Sequence, residues 1–187
     1  LFSPSVQAAE EHSATIDSNQ AGGVNGTGLT GDSSNNHITF TGNDTSPEVH
    51  GNIYGAKADD TTNVISNKIT INGLSMIGNG IYGGWTSLGS ATGNTVNYTL
   101  GSRTGGTIDG GYVDNAKGGS ASDNHVTISG TNLGSSTMEV YGGRSNGSGD
   151  AKDNTVNFGG SSRAQYIFGG YLTNETANGE SSGNNVA

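Results

Sequence analysis

The sequence predicts an all-β fold, a parallel β-helix (β-solenoid) with right-handed coils of about 30 residues and five to six coils in all. Two short motifs recur along the chain and alternate with each other. Both place apolar residues at every second position, which is the period of a β-strand, and no segment shows the 3.6-residue period of a helix. Each strand is too short to bury its own apolar face, so the repeats must stack with like strands in parallel sheets.

The first strand motif is an Asn followed at alternate positions by Ile or Val and by an apolar or aromatic residue, as in Asn94, Val96 and Tyr98. Its copies start 27 to 31 residues apart. The Asn and the apolar residues share one strand face, which must be the core face. Inward Asn side chains stacked at a corner can hydrogen-bond to one another and to the backbone. The predicted structural Asn ladder consists of Asn36, Asn67, Asn94, Asn124, Asn154 and Asn184.

The second strand motif is an Ile or Val followed by an aromatic residue and a glycine pair, as in Ile81, Tyr82, Gly83 and Gly84. The Ile or Val takes the inner face, so the aromatic residue after it should point outward. We expect the glycine pair to form a sharp turn, because glycine adopts conformations that other residues avoid. The copies, 27 to 32 residues apart, start at Ile53, Ile81, Ile108, Val140 and Ile167.

Two columns of side chains are therefore predicted on the outer surface around the glycine pair. One is mostly aromatic but holds Asp109 in one repeat, and the other mixes aromatic residues with Lys57 and Arg144. Because a Lys or Arg is rarely buried without a partner, we expect the second column to be exposed. The aromatic residues either bind a sugar face or a protein partner, or only stack and stabilise the sheet. The candidate binding residues are Tyr54, Tyr82, Trp85, Tyr112, Tyr141, Phe168 and Tyr171.

The N-terminal part of the chain fits neither motif. Residues 1–8 carry Val6 and Ala8 at the spacing of a cleavage site, and we interpret them as the tail of a signal peptide. Residues 9–35 are predicted to form an irregular N-terminal cap, because terminal repeats of solenoids differ from the others. Residues 36–187 are the solenoid repeats, and we expect them to be truncated at the C-terminal end, since the last copy stops inside a strand motif.

Composition argues against several classes of protein. Glycine supplies 34 of the 187 residues and hydrophobic residues only 29%, so a conventional enzyme core is not expected. There are 16 acidic against 7 basic residues, and the net charge of -9 disfavours nucleic acid as a partner. The chain has no cysteine and therefore no disulfide. It also lacks an apolar run of the ~20 residues needed to cross a bilayer, so we do not expect this segment to be embedded in a membrane.

Residues that could carry chemistry are few. Acidic pairs such as Asp59 and Asp60 fall in the variable loops, and we interpret them as solvated charge rather than as catalytic carboxylates. His37 and His125 occupy the same strand position three coils apart, a separation of roughly 14 Å that is too long for a shared metal ion. The sequence therefore predicts no catalytic site, no metal site and no cofactor.

The copies of "IYGG", together with "GNTVNY" and "DNTVNF", resemble the passenger repeats of large Gram-negative autotransporter (type V secretion) adhesins. The resemblance covers roughly residues 36–187. It implies a β-helical passenger that is secreted or displayed at the cell surface, anchored in the outer membrane through a region outside this segment. The implied partners are a host-cell or bacterial surface protein or glycan, or further copies of the chain itself.

This resemblance leads us to expect a segment of an exported bacterial adhesin or adhesive fibre, a stiff β-helical stalk that displays a polar and aromatic surface for attachment. The first alternative is a self-assembling extracellular filament subunit, whose coils would stack end to end between molecules. The second alternative is a polysaccharide-processing enzyme, because a β-helix also serves as the scaffold of such enzymes. A fold alone does not choose among these functions.

Overall fold

A computed structural model describes the chain over seven segments. They are residues 10–43, 46–76, 79–103, 106–115, 117–130, 137–173 and 179–187. These residues fold as an all-β solenoid of about five turns with roughly 29 residues per turn, which confirms the predicted fold class. The signal-peptide tail predicted at residues 1–8 lies outside the described residues.

Short strands and one helix of five residues make up the described chain. In chain order, the elements of the first half are β1 (His12–Ile16), β2 (Val24–Asn25), α1 (Gly26–Thr30), β3 (Asn36–Thr41), β4 (Glu48–Val49), β5 (Ile53–Tyr54), β6 (Lys57–Ala58), β7 (Val64–Ile65), β8 (Lys68–Met76) and β9 (Gly80–Thr86). Those of the second half are β10 (Ala91–Thr92), β11 (Thr95–Arg103), β12 (Thr107–Val113), β13 (Ala121–Ser122), β14 (His125–Ile128), β15 (Glu139–Ser145), β16 (Ala151–Lys152), β17 (Thr155–Phe158), β18 (Tyr166–Leu172), β19 (Ser181–Ser182) and β20 (Asn185–Val186).

Three sheets run along the solenoid, and neighbouring strands in each are parallel. The first sheet contains the Asn motif and has the order β1-β3-β8-β11-β14-β17-β20, with β4 beside β8. The second sheet contains the glycine pairs and has the order β18-β15-β12-β9-β5-β2, with β6 beside β9. The third sheet has the order β19-β16-β13-β10-β7. A complete coil thus supplies three strands, a number that the sequence left open.

The inward side chains of the first and second sheets form the main core. Val96 and Tyr98 of β11 and Ile108 of β12 are fully buried. The register pairs like with like, so that Val96 lies between Ile69 of β8 and Val126 of β14. A second, thinner cluster of alanine and valine side chains packs behind the third sheet. A narrow core of this kind explains how a chain with few apolar residues still folds.

A residue in the left-handed region marks the corner between the third and the first sheet. The residue before each ladder Asn has a φ of 55° to 67°. This region is costly for most residues and least so for glycine, asparagine and aspartate. The six corner residues are Asn35, Ser66, Gly93, Asp123, Asp153 and Gly183. Two loop acids, Asp123 and Asp153, therefore have a structural role, because they adopt the left-handed backbone conformation of the corner.

The glycine pair does not form the predicted turn. β9 runs from Gly80 to Thr86 straight through its glycine pair, and β12, β15 and β18 do the same. Neither Gly83 nor Gly84 has a positive φ. The prediction was wrong because glycine is needed here for close packing against the first sheet rather than for an unusual backbone conformation.

Residues 10–35, within the predicted cap, form an atypical coil. β1 pairs in register with β3, from His12 opposite Asn36 to Ile16 opposite Phe40. The first sheet therefore begins in this segment. α1 follows β2 at the point where the next coil has β6, so the segment departs from the repeat on the side of the second sheet.

Candidate functional site

The Asn ladder runs through the corner at which the first and third sheets meet. The rungs from Asn36 to Asn154 are fully buried, and Asn184 in the last coil is half-buried. The Oδ1 of each later rung accepts two hydrogen bonds from the Asn one coil earlier, one from its backbone N–H and one from its Nδ2, at 2.9–3.1 Å. The structure thus brings all six ladder residues into one continuous series of hydrogen bonds.

Each inner rung uses the full bonding capacity of its side-chain amide. Asn124 Oδ1 accepts both bonds from Asn94. Its Nδ2 donates to Asn154 Oδ1 at 3.0 Å and to the Ala91 carbonyl at 2.9 Å. A carboxamide offers two acceptor positions and two donor hydrogens, so nothing is left unpaired. Such an amide cannot shift without breaking one of its four bonds, which makes the ladder a structural feature.

The second glycine of each pair packs against the ladder. A Cβ on Gly111 would lie 2.6 Å from side-chain atoms of Asn124, and a Cβ on Gly84 would lie 2.7 Å from those of Asn94. The next coils repeat this contact. Atoms in a close-packed interior do not approach so closely, so only glycine fits beside a rung. The glycine pair and the Asn motif are therefore two sides of one packing unit, which explains their common period.

Helix α1 covers the first rung of the ladder. The Thr30 hydroxyl donates to Asn36 Oδ1, the atom that an earlier rung would otherwise bond. Asn36 Nδ2 also donates to the Asp32 carbonyl at 2.8 Å. At the other end of the ladder, Asn184 Nδ2 donates to Ser181 Oγ at 3.1 Å. The side-chain amides of the first and last described rungs therefore have different additional partners.

The candidate aromatic residues lie on the outer side of the second sheet, where their rings stack from coil to coil. Tyr54 stacks on Tyr82 with ring centroids 5.2 Å apart and an interplanar angle of 14°. Tyr141 stacks on Phe168 at 5.4 Å and 8°. Asp109 interrupts this column between Tyr82 and Tyr141. The faces of these rings contact one another, so they are not free to bind a sugar. This favours a stabilising role for the rings over a role in ligand binding.

The exposure of the outer columns is lower than predicted. Tyr141 is only 5% exposed, whereas Tyr171 in the last coil is 36% exposed. The Lys57 ammonium lies 4.9 Å from the centroid of the Trp85 ring and 2.8 Å from Asp59 Oδ1. Neighbouring side chains therefore cover much of these columns, and Trp85 shares its ring face with a cation.

Asp109 and Arg144 form a buried ion pair between two coils on this face. Asp109 of β12 is fully buried, and only 15% of the Arg144 side chain of β15 is exposed. Arg144 Nη2 donates to Asp109 Oδ2 at 3.1 Å. The guanidinium lies between the rings of Tyr112 and Tyr141, 4.1 and 4.6 Å from their centroids. The predicted exposure was wrong for Arg144, because Asp109 is its partner and the tyrosines shield both groups.

Burial dominates the electrostatics of this pair. It raises the pKa of Asp109 to about 6, against the attraction of Arg144 and a hydrogen bond with Thr107. Burial also raises the pKa of Tyr82 and of Tyr141. The free-energy cost of removing the Asp109 carboxylate from water therefore exceeds the stabilisation that its neighbours give to the charged form.

Three acidic loop side chains share one groove. Asp32, Asp59 and Asp60 line an open groove of about 570 Å³. Asp59 is paired with Lys57, and Asp60 Oδ1 accepts a hydrogen bond from the Thr62 N–H at 2.8 Å. Among the described residues, no group of three or more His, Asp or Glu side chains is placed to hold a metal ion. Over the same part of the chain, no helix is long and apolar enough to span a bilayer.

The arrangement as a whole joins coils to one another. Ladder bonds, glycine contacts and stacked rings each connect a residue of one coil with its counterpart in the next. A comparison with protein-family models, with curated proteins and with solved structures finds no match to this chain.

Proposed function

We propose that the chain is a segment of an exported bacterial surface adhesin, a stiff β-solenoid stalk that displays a polar surface for attachment. The observation that carries the proposal is the continuity of the interior, since the same ladder bonds recur from coil to coil at 2.9–3.1 Å. Each coil contacts only its neighbours, and such a stack makes an extended rod. The resemblance to autotransporter passenger repeats supports export and display at the cell surface.

The outer face of the first sheet offers a regular polar surface for attachment. The strand register aligns Thr39, Thr70, Asn97, Thr127 and Asn157 in one row. Strand spacing places these hydroxyl and amide groups ~4.8 Å apart, where they can hydrogen-bond to a glycan or a protein. The net charge of -9 favours a neutral or basic partner over an acidic one.

The N-terminal coil supports a stalk over a filament built by end-to-end stacking. Stacking on this side would require the ladder to stay open to a further asparagine. Here the Thr30 hydroxyl already bonds Asn36 Oδ1, and His12 lies opposite Asn36, where the ladder would require an asparagine.

Attachment to cells tests the proposed function. Beads coated with the chain should attach to bacterial or epithelial cells above the level of uncoated beads, because the solenoid presents its polar row along its whole length. The attachment should saturate and should be competed by the soluble chain. Beads that attach to none of these cells and to no immobilised glycan would contradict the adhesin proposal.

Replacing Tyr82 and Tyr141 together by serine separates ring stacking from binding. Because both rings are used in stacks, we expect the double variant to lose roughly 2–4 kcal/mol of stability. Attachment should be retained wherever the variant is folded. Thermal unfolding measures the first effect and the bead assay the second. Tyr166→Ser, at a ring that is 49% exposed, is the control and should change stability much less. A folded double variant that no longer attaches would show that the rings contact the partner.

A further inference from the structure

The Asp109 carboxylate is a buried charge that has no part in the proposed stalk function. Its Oδ1 lies 3.0 Å from Arg144 Nε, yet neither atom has a hydrogen bond of suitable angle among the described residues. One carboxylate oxygen is therefore held by charge attraction alone. Burying a carboxylate is costly unless its hydrogen-bonding positions are satisfied. The geometry thus leaves the ionised form only partly compensated.

Side chains from three strands face Asp109. They are Tyr82 of β9, Thr107 of β12, and Glu139, Tyr141 and Arg144 of β15. Arg144 is the cation in this set, and the negative charge of Glu139 disfavours ionisation of Asp109. The rings of Tyr112 and Tyr141 flank the Arg144 guanidinium, and Asp109 itself is fully buried. These surroundings favour a neutral Asp109.

We propose that Asp109 is a proton-binding switch that makes the solenoid more stable in mildly acidic than in neutral solution. On protonation the carboxyl loses the charge whose burial is costly. Its Oδ2 can still accept the bond from Arg144 Nη2, and the guanidinium keeps its place between the rings of Tyr112 and Tyr141. The contact between β12 and β15 is thus kept, and the cost of a buried carboxylate charge is removed.

Proton linkage gives the direction of the effect. The pKa of Asp109 in the folded chain, about 6, lies above the ordinary value of 3.8, so the folded state binds the proton more tightly than the unfolded state. The resulting stabilisation is fully present below pH 3.8 and is lost as the pH rises through 6. From this group alone, the ratio of folded to unfolded protein should be about 25-fold higher at pH 4.5 than at pH 7.5.

Asp109→Asn tests the switch, because it removes the charge and nearly keeps the shape. Urea unfolding of the wild type and of the variant should be measured at pH 4.5 and pH 7.5. We expect the stability of the variant relative to the wild type to fall about 25-fold, as a ratio of equilibrium constants, from pH 7.5 to pH 4.5. Comparing both proteins at each pH cancels the contribution of other carboxylates. A ratio that stays constant, or that changes in the opposite direction, overturns the proposal.

A control variant and a direct titration separate the effect of Asp109 from that of other carboxylates. Asp123→Asn removes a carboxylate from an exposed corner, where asparagine also fits the φ of 56°, and its relative stability should not follow pH in this way. Carbon-13 NMR of the wild type follows the Asp109 carboxyl directly and does not depend on the variant folding. Its titration midpoint should lie near 6, and a midpoint at 4 or below overturns the proposal.

Discussion

Replacement of Asn124 by alanine is expected to lower the free energy of unfolding by roughly 4–6 kcal/mol, because four buried hydrogen bonds are lost at once. Two of these bonds come from Asn94, one goes to Asn154, and one goes to the Ala91 carbonyl. The groups left behind are buried, so water does not readily replace the missing amide. At about 1–1.5 kcal/mol for each bond, the losses sum to the expected range.

Urea unfolding followed by circular dichroism measures this loss. Asn157→Ala is the matched control, because Asn157 is exposed on the outer face of β17, and its replacement should change stability by less than about 0.5 kcal/mol. Asn184→Ala, at the half-buried last rung, should fall between the two. Equal losses at Asn124 and Asn157 would contradict a ladder that holds the coils together.

The alternation of inward and outward residues was sufficient to predict the first two sheets and the inward orientation of the ladder Asn side chains. In β8 and β14 the outward positions hold Lys68 and His125, so the alternate positions must face the core. Once that face is fixed, an Asn at the same parity as Val96 or Val126 has to point inward as well. Its burial then requires partners, and the repeat supplies them one coil away.

The third sheet could not be predicted in this way, because a strand of two residues has no period to detect. Its signal lies in the identity of single residues. An alanine stands three positions before the ladder Asn at Ala91, Ala121 and Ala151, and Val64 takes the same position before Asn67, all of them buried in the second core. The residue just before the Asn is glycine, asparagine or aspartate at every rung except one, where it is Ser66.

The pairing of Asp109 with Arg144 was missed because parity says which face a residue is on, not which residues meet. In register Asp109 lies opposite Tyr141, and Arg144 stands three positions further along β15. The arginine side chain is long enough to reach back across this diagonal. The sequence does contain a signal, since a lone acid in an aromatic column precedes a lone arginine in the next coil.

Replacement of Gly111 by alanine is expected to lower the free energy of unfolding by about 3 kcal/mol, at the upper end of the usual cost of overpacking. The new methyl group would lie 2.6 Å from atoms of the Asn124 amide, which four hydrogen bonds hold in place. Thermal or urea unfolding measures the cost. Gly159→Ala is the control, because its methyl group would meet only the Ile128 carbonyl oxygen at 4.0 Å, and we expect a change below about 1 kcal/mol.

A double-mutant cycle identifies the cause of the Gly111→Ala effect. When Asn124 is also alanine, the space left by the amide can accept the methyl group, so Gly111→Ala should cost less than about 1 kcal/mol in that background. The coupling between the two sites would then be about 2 kcal/mol or more. Additive losses would instead mean that the Asn124 amide is not the cause of the Gly111→Ala effect. A strong coupling follows if glycine and asparagine form one packing unit, and it would explain why the two motifs share a single period along the chain.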